Sequence, residues 1–170
     1  MSLFETPLPN GLEYIPNYIT EAQQTELILQ IDKQPWLNNL KRRVQHYGYK
    51  YDYKAHKITP ELKIDQIPNW LQILPNFDQV IINEYQQGQG ISSHIDCIPC
   101  FGNIICSLSL LSPCEMVFTK NADKRSLILE PLSLLILQNE ARYEWQHKIP
   151  ARKSNVKSRR ISVTFRTCIL

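Results

Sequence analysis

From Gln79 onward the chain breaks into short runs of β-branched, aromatic and apolar residues separated by turn signals, and this rhythm limits what it can fold into. The runs cover 80–86, 91–96, 103–111, 115–119, 126–129, 133–137, 142–149 and 160–167, with Gly88-Gln89-Gly90 and Ser112-Pro113 among the turns. Eight short strands at this spacing predict a sandwich or barrel, and the jelly roll, or double-stranded β-helix, is one eight-stranded solution.

The first third reads differently. Thr20 and Gln23 have the spacing of a capping box ahead of Leu27, Ile28 and Ile31, which predicts a helix to about Lys33. A second short helix is predicted over 68–74, with Pro68 at its first position. The expected class is α+β, mainly β, with N-terminal helices covering one face of a jelly-roll core.

At 170 residues the chain suits a single domain, 1–170, and 43% hydrophobic with 21% charged residues is ordinary for a globular protein. The longest strongly apolar run, 104–111, is far shorter than the roughly 20 residues of a membrane span, so no membrane partner is expected. Residues 1–5 form neither a positive leader nor an apolar stretch, so a cytoplasmic location is expected; a monomer is taken as the default state. The net charge of +3 permits a polyanionic partner without demanding one.

Five cysteines are an odd number in a chain of this size, so free thiols in a reducing compartment are expected. Cys97-Ile98-Pro99-Cys100 has redox or zinc spacing, yet no second pair follows it. It is therefore also read as free thiols, open to oxidation if a redox metal lies nearby.

His94-Ile95-Asp96 supplies that metal site. In an extended strand residues two apart share a side, so an imidazole and a carboxylate converge, and His147 from a later strand completes one face. Two histidines and one carboxylate suit non-haem Fe(II), because three protein ligands leave positions for substrate and dioxygen; zinc also accepts such a set. By the same alternation Arg160, Ser162, Thr164 and Arg166 share one face of the last strand, where two guanidiniums can grip a dicarboxylate. Asn83 and Tyr85 place an amide and a phenol on one face of an earlier strand. On residues 42–53 tyrosines recur at alternate positions (Tyr47, Tyr49, Tyr51, Tyr53) beside basic neighbours, a stripe able to stack bases or to pack on the core. Lys148, Arg152, Lys153, Lys157, Arg159 and Arg160 form a basic stretch after the distal histidine, suited to a phosphate backbone or to solvent.

Taken together, Asn83-x-Tyr85, His94-x-Asp96, His147 and Arg160-x-Ser162-x-Thr164-Phe165-Arg166 resemble the AlkB family of Fe(II)- and 2-oxoglutarate-dependent dioxygenases, in order, over about half the chain. The resemblance implies that His94, Asp96 and His147 bind Fe(II), and that Asn83, Tyr85, Arg160, Ser162 and Arg166 bind 2-oxoglutarate, with O2 as co-substrate. It implies a nucleotide-recognition lid containing Tyr47 and Tyr49, worded most like the homologues that modify transfer RNA, and a substrate contact or ordering role for Arg142. The domain then divides into helices and lid over 1–78 and core over 79–170. Ser162 stands where the best-known members carry Asn, and Ile98 stands where bacterial repair members carry an acidic residue. The implied activity is oxidative removal of N-alkyl groups from bases of DNA, RNA or tRNA. The alternatives are hydroxylation of a modified tRNA wobble uridine, or of a protein or small molecule.

Overall fold

Alternation of side chains along antiparallel strands divides the molecule into layers. The computed structural model describes residues 7–38 and 40–170, so the reading of the first five residues lies outside it. In chain order it contains strand β1 (Leu12–Ile15), helix α1 (Glu21–Asp32), strands β2 (Arg43–Tyr47), β3 (Gln79–Tyr85), β4 (Ile91–His94), β5 (Phe101–Leu110), β6 (Cys114–Lys120), β7 (Asp123–Leu129) and β8 (Leu134–Leu137). Helix α2 (Asn139–Tyr143) and strands β9 (Gln146–Ile149) and β10 (Arg160–Cys168) follow. A six-stranded sheet has the order β1-β8-β5-β10-β3-β2, and a four-stranded sheet the order β4-β9-β6-β7. Two antiparallel sheets face to face are the jelly-roll arrangement the strand rhythm predicts.

Strand β10 shows how the layers arise. Ile161, Val163 and Phe165 point outward into a core shared with Val80, Ile82 and Leu108, over which Leu27 and Ile31 of α1 and Leu71 are packed. The intervening residues point between the sheets, where Ser162, Thr164 and Arg166 meet Met116, His147 and Ile149 of the smaller sheet. Register fixes which polar groups meet: Ser162 lies opposite Asn83 on β3 and Ser109 on β5, and Arg160 opposite Tyr85.

Helix α1 begins at the predicted capping box, in which Gln23 N donates to Thr20 Oγ1 (3.1 Å) and Thr20 N donates to Gln23 Oε1 (2.8 Å). It ends before Gln34-Pro35, because proline disfavours helical backbone in the residue ahead of it. Among the described residues no helix is long and apolar enough to cross a membrane.

Several local expectations change. The predicted helix over 68–74 is a single 3-10 turn, Asn69–Leu71, with Pro68 as its N-cap, and Pro75 keeps the following residues from continuing it. The run 142–149 is not one strand: Asn139–Tyr143 is helical, and β9 starts only at Gln146. Strands β1 and β2 join the edges of the larger sheet, so the first 78 residues supply strands as well as helices. Cys106, Cys114 and Cys168 are free, whereas Cys97 and Cys100 are joined by a disulfide, correcting the free-thiol reading for that pair. The turn between them brings their Cα atoms to 5.2 Å, within the span of a disulfide.

Leu108 is fully buried at the middle of the outward core. Leu108→Ala should lower unfolding free energy by about 3 kcal/mol, seen as an earlier urea midpoint at unchanged slope.

Candidate active site

His94 ends β4 and His147 lies in β9, and antiparallel pairing makes them direct cross-strand partners with ring centres 4.4 Å apart. Asp96, two residues past His94, brings Oδ1 to 3.3 Å from His94 Nε2 and 3.9 Å from His147 Nε2. One ligand atom from each of the three lies within 4.8 Å of the others. His94 Nδ1 is 2.8 Å from the Ser92 carbonyl, which only accepts, so Nδ1 carries a proton and Nε2 is the nitrogen turned toward Asp96.

Burial alone would raise the Asp96 pKa, but Arg166 and the two histidines outweigh it and hold the carboxyl well below the usual carboxylate range. Burial pushes His147 down to about 4 against the opposing pull of Asp96, so its imidazole is neutral near pH 7. An imidazole nitrogen from each histidine and the Asp96 carboxylate converge as a nitrogen and oxygen donor set, which fits Fe(II).

A narrow cavity of about 60 Å³ between the sheets is lined by His94, Asp96 and His147 together with Asn83, Tyr85 and Ser162. Arg166 lines it too, and its Nε donates to Asp96 Oδ2 at 3.0 Å while the guanidinium stacks over Phe101. The other arginine behaves differently. Arg160 is fully buried, its guanidinium 5.4 Å from the Tyr85 ring, and only one nitrogen finds a partner, Ser109 Oγ at 2.9 Å. Arg160 Nε and Nη1 have no hydrogen-bond partner among the described residues. An uncompensated buried cation is costly, so this corner is built to receive an anion. The two arginines thus separate: Arg166 holds the Asp96 carboxylate, and Arg160 offers unfilled donors.

Asn83 Oδ1 accepts from Arg42 Nε at 2.7 Å, which leaves its amide NH2 as the donor for the cavity. Arg42 was visible in the sequence only as a basic neighbour of the tyrosines. Ser162 Oγ lies 3.2 Å from Ser107 Oγ, a side-chain pair across neighbouring strands.

Outside this cavity lies a mouth of about 310 Å³ whose lining includes Arg42, Tyr51, Tyr53, His56 and Cys97. The alternating stripe of tyrosines reaches it only in part. Gly48 adopts φ +75°, where a Cβ would strike the Asp78 carbonyl, so the strand ends and the side-chain alternation is lost. Tyr47 packs edge-on against Trp70 at 5.7 Å, and Tyr49 faces Ile58 and Phe101 behind the mouth. Tyr51 and Tyr53 meet edge-on at 5.1 Å and line the mouth.

Arg142 is buried and makes no opening to substrate. Its guanidinium donates to the carbonyls of Asp96 (2.8 Å), Cys97 (3.3 Å), Phe101 (3.0 Å) and Gly102 (3.1 Å), so it holds the loop that carries Asp96. The basic stretch is also partly consumed: Arg152 pairs with Glu115, and Arg159 with Asp32 and Glu84. Arg160 is buried, which leaves Lys148, Lys153 and Lys157 as its remaining cations.

Two outcomes follow from these environments. His46 and His147 are both lowered to about 4 from 6.5, chiefly by burial, so the unfolded chain takes up protons first as pH falls below 6.5. Stability of the metal-free protein should therefore fall by on the order of 2 kcal/mol between about pH 7.5 and 5.5, measured from urea midpoints, while Asp96 stays ionised throughout. Arg142→Lys keeps the charge but reaches fewer carbonyls, and should weaken Mn(II) binding about tenfold by calorimetry.

Residues 11–166 match the 2OG-Fe(II) oxygenase superfamily. The chain is 35% identical to the alkylated DNA repair protein ALKBH8 homolog of Arabidopsis thaliana, over 92% of its own length and 58% of that protein's. It is 34% identical to the tRNA (carboxymethyluridine(34)-5-O)-methyltransferase ALKBH8 of Macaca fascicularis, over 86% of its own length and 25% of that protein's. It thus spans little more than half of the first relative and a quarter of the second. The solved structure of OsALKBH1 superposes with a TM-score of 0.75 over 95% of this chain and 99% of that one, a likeness of fold at 16% identity. On the extent of these matches the chain belongs to the 2OG-Fe(II) oxygenase superfamily, which works with Fe(II), 2-oxoglutarate and O2, and to the AlkB homologues within it.

Proposed function

We propose that the chain is an Fe(II)- and 2-oxoglutarate-dependent dioxygenase that removes N-alkyl groups from nucleic-acid bases by oxidation. One observation carries this reading: a His94, Asp96, His147 set within 4.8 Å shares its cavity with Tyr85, and beside the Tyr85 ring lies the buried guanidinium of Arg160 with two nitrogens unfilled. With Fe(II) and 2-oxoglutarate bound, O2 would be the oxidant: one oxygen atom would go to the substrate carbon and the other to succinate, with carbon dioxide released.

In this reading His94, Asp96 and His147 hold the metal from one side and leave its other side open. Arg160, with Tyr85 and Ser109 beside it, takes a carboxylate of 2-oxoglutarate on its unfilled donors. Asn83, turned by Arg42, adds an amide donor, and Ser162 adds a hydroxyl. Arg166 keeps Asp96 ionised and oriented. The substrate role expected of Tyr47 and Tyr49 passes to Tyr51 and Tyr53, whose rings offer a stacking surface at the mouth. Extracting a base from a duplex costs a few kcal/mol, less at damaged or single-stranded sites, and a lined mouth beside the metal suits a base so exposed. Hydroxylation of an N-alkyl carbon gives a hemiaminal, which loses an aldehyde and restores the base.

A second reading, hydroxylation of a tRNA wobble uridine, is favoured by the likeness to the macaque relative, whose printed name concerns carboxymethyluridine 34 of tRNA. That protein's methyl transfer is not carried over, since this chain spans 25% of it.

The test is succinate release by anaerobically loaded Fe(II) protein against methylated oligonucleotides, bulk tRNA and peptides, with the mass of each product. Loss of a methyl group from an oligonucleotide supports dealkylation, and gain of one oxygen on tRNA supports the second reading. Oxidation of peptides alone, with every nucleic acid unchanged, sinks both. His94→Ala and Asp96→Ala should lose iron and turnover together, and Arg160→Met should raise the KM for 2-oxoglutarate about tenfold to a hundredfold.

A further inference from the structure

Cys97 and Cys100 occupy the turn that carries Asp96. Cys97 is half-buried and lines the mouth, and Cys100 is 4% exposed just behind it. The turn is closed by its own backbone, with Cys100 N and Phe101 N each donating to the Cys97 carbonyl at 3.2 Å. Arg142 binds the carbonyls of Asp96, Cys97 and Phe101, so the backbone is held independently of the sulfurs. A disulfide is therefore compatible with this turn as it stands, and so is a pair of thiols.

The two states differ in one contact. Both Sγ atoms lie 3.5 Å from the carbonyl oxygen of His56. His56 belongs to the tight turn that follows Tyr51 and contains Tyr53, closed by pairing of Asp52 with Lys57. A thiol can donate a hydrogen bond to that carbonyl, whereas a disulfide has no hydrogen to donate. With the sulfurs joined, as in this structure, they meet that carbonyl by contact alone, and reduction adds two S–H donors to tie the 52–57 turn to the Asp96 loop.

We propose that Cys97 and Cys100 form a reversible thiol–disulfide site that reacts with small-molecule disulfides of the glutathione class, and that its state controls how firmly the 52–57 turn is held. The more exposed Cys97 gives up its proton and attacks one sulfur of RSSR, breaking that S–S bond and releasing one RSH. Cys100 gives up its proton and attacks the Cys97 sulfur, expelling the second RSH. Two protein thiols are oxidised by two electrons to one disulfide while one RSSR is reduced to two RSH, and excess RSH reverses the exchange. The other cysteines are unsuited to it. Cys106 is pushed up to about 11 by burial, Cys114 and Cys168 are also raised chiefly by burial, and all three are free. The consequence for turnover rests on the proposed nucleic-acid reading of the mouth: a released turn frees Tyr51 and Tyr53, so oxidation weakens substrate binding more than iron or 2-oxoglutarate binding.

The test equilibrates the full chain in glutathione buffers from reducing to oxidising, then counts alkylated cysteines by intact mass and follows amide hydrogen exchange over residues 50–58. Two alkylations should disappear together on oxidation, mapping to Cys97 and Cys100, and exchange in that segment should rise about fivefold, the weight of two weak sulfur hydrogen bonds. Replacing Cys97→Ser together with Cys100→Ser keeps two donors and cannot oxidise, so exchange should stay slow in every buffer. The double change to alanine should exchange fast in every buffer. Alkylation that ignores the buffer, or equal exchange in the two states, overturns the proposal. A protein that passes these tests yet oxidises no nucleic acid overturns the functional reading instead and leaves the sulfur site standing.

Discussion

The buried carboxylate of Asp96 is the point on which the site turns. A carboxylate this deep stays ionised only because Arg166 donates to one oxygen and two histidines approach the other. Its backbone is held separately, by the guanidinium of Arg142 on four carbonyls. Charge and position are thus secured by different residues from different elements, β10 for one and α2 for the other. A metal-binding group that fails in either respect loses its use, since orientation within fractions of an ångström governs ligation.

The antiparallel jelly roll makes this arrangement economical. Because residues alternate sides, β10 supplies an apolar face to α1 and a polar face to the cavity from one short sequence. Cross-strand pairing of β4 with β9 then brings His94 to His147 across a long stretch of chain. The cost is a buried interior rich in polar groups, and most are matched: Ser107 with Ser162, Ser109 with Arg160, Asn83 with Arg42. The unmatched nitrogens of Arg160 stand out against that background.

The opposite fates of the four tyrosines show where local pattern stops being informative. Alternation predicts one stripe, but it holds only while the backbone remains a strand, and Gly48 ends the strand. The same limit explains 142–149, where a helical turn precedes β9, and Cys97 and Cys100, whose count argued for free thiols although a turn places them together. Composition speaks about averages over a chain, whereas a turn acts on one pair of atoms.

The amino-acid order alone was enough for the strand rhythm, the capping box of α1, the period-two faces of β3 and β10, and the His94, Asp96, His147 set, because each depends on spacings of a few residues or on a recognisable series of motifs. Folding in three dimensions was needed to give Arg160 and Arg166 different partners, to bring Arg142 onto the carbonyls of the Asp96 loop, and to put Tyr51 and Tyr53 on the lining of the mouth while Tyr47 packs on Trp70. Those distinctions rest on which partner a side chain meets from a distant strand. Burial and hydrogen bonding across long sequence separations are set by sheet register, which no local pattern encodes.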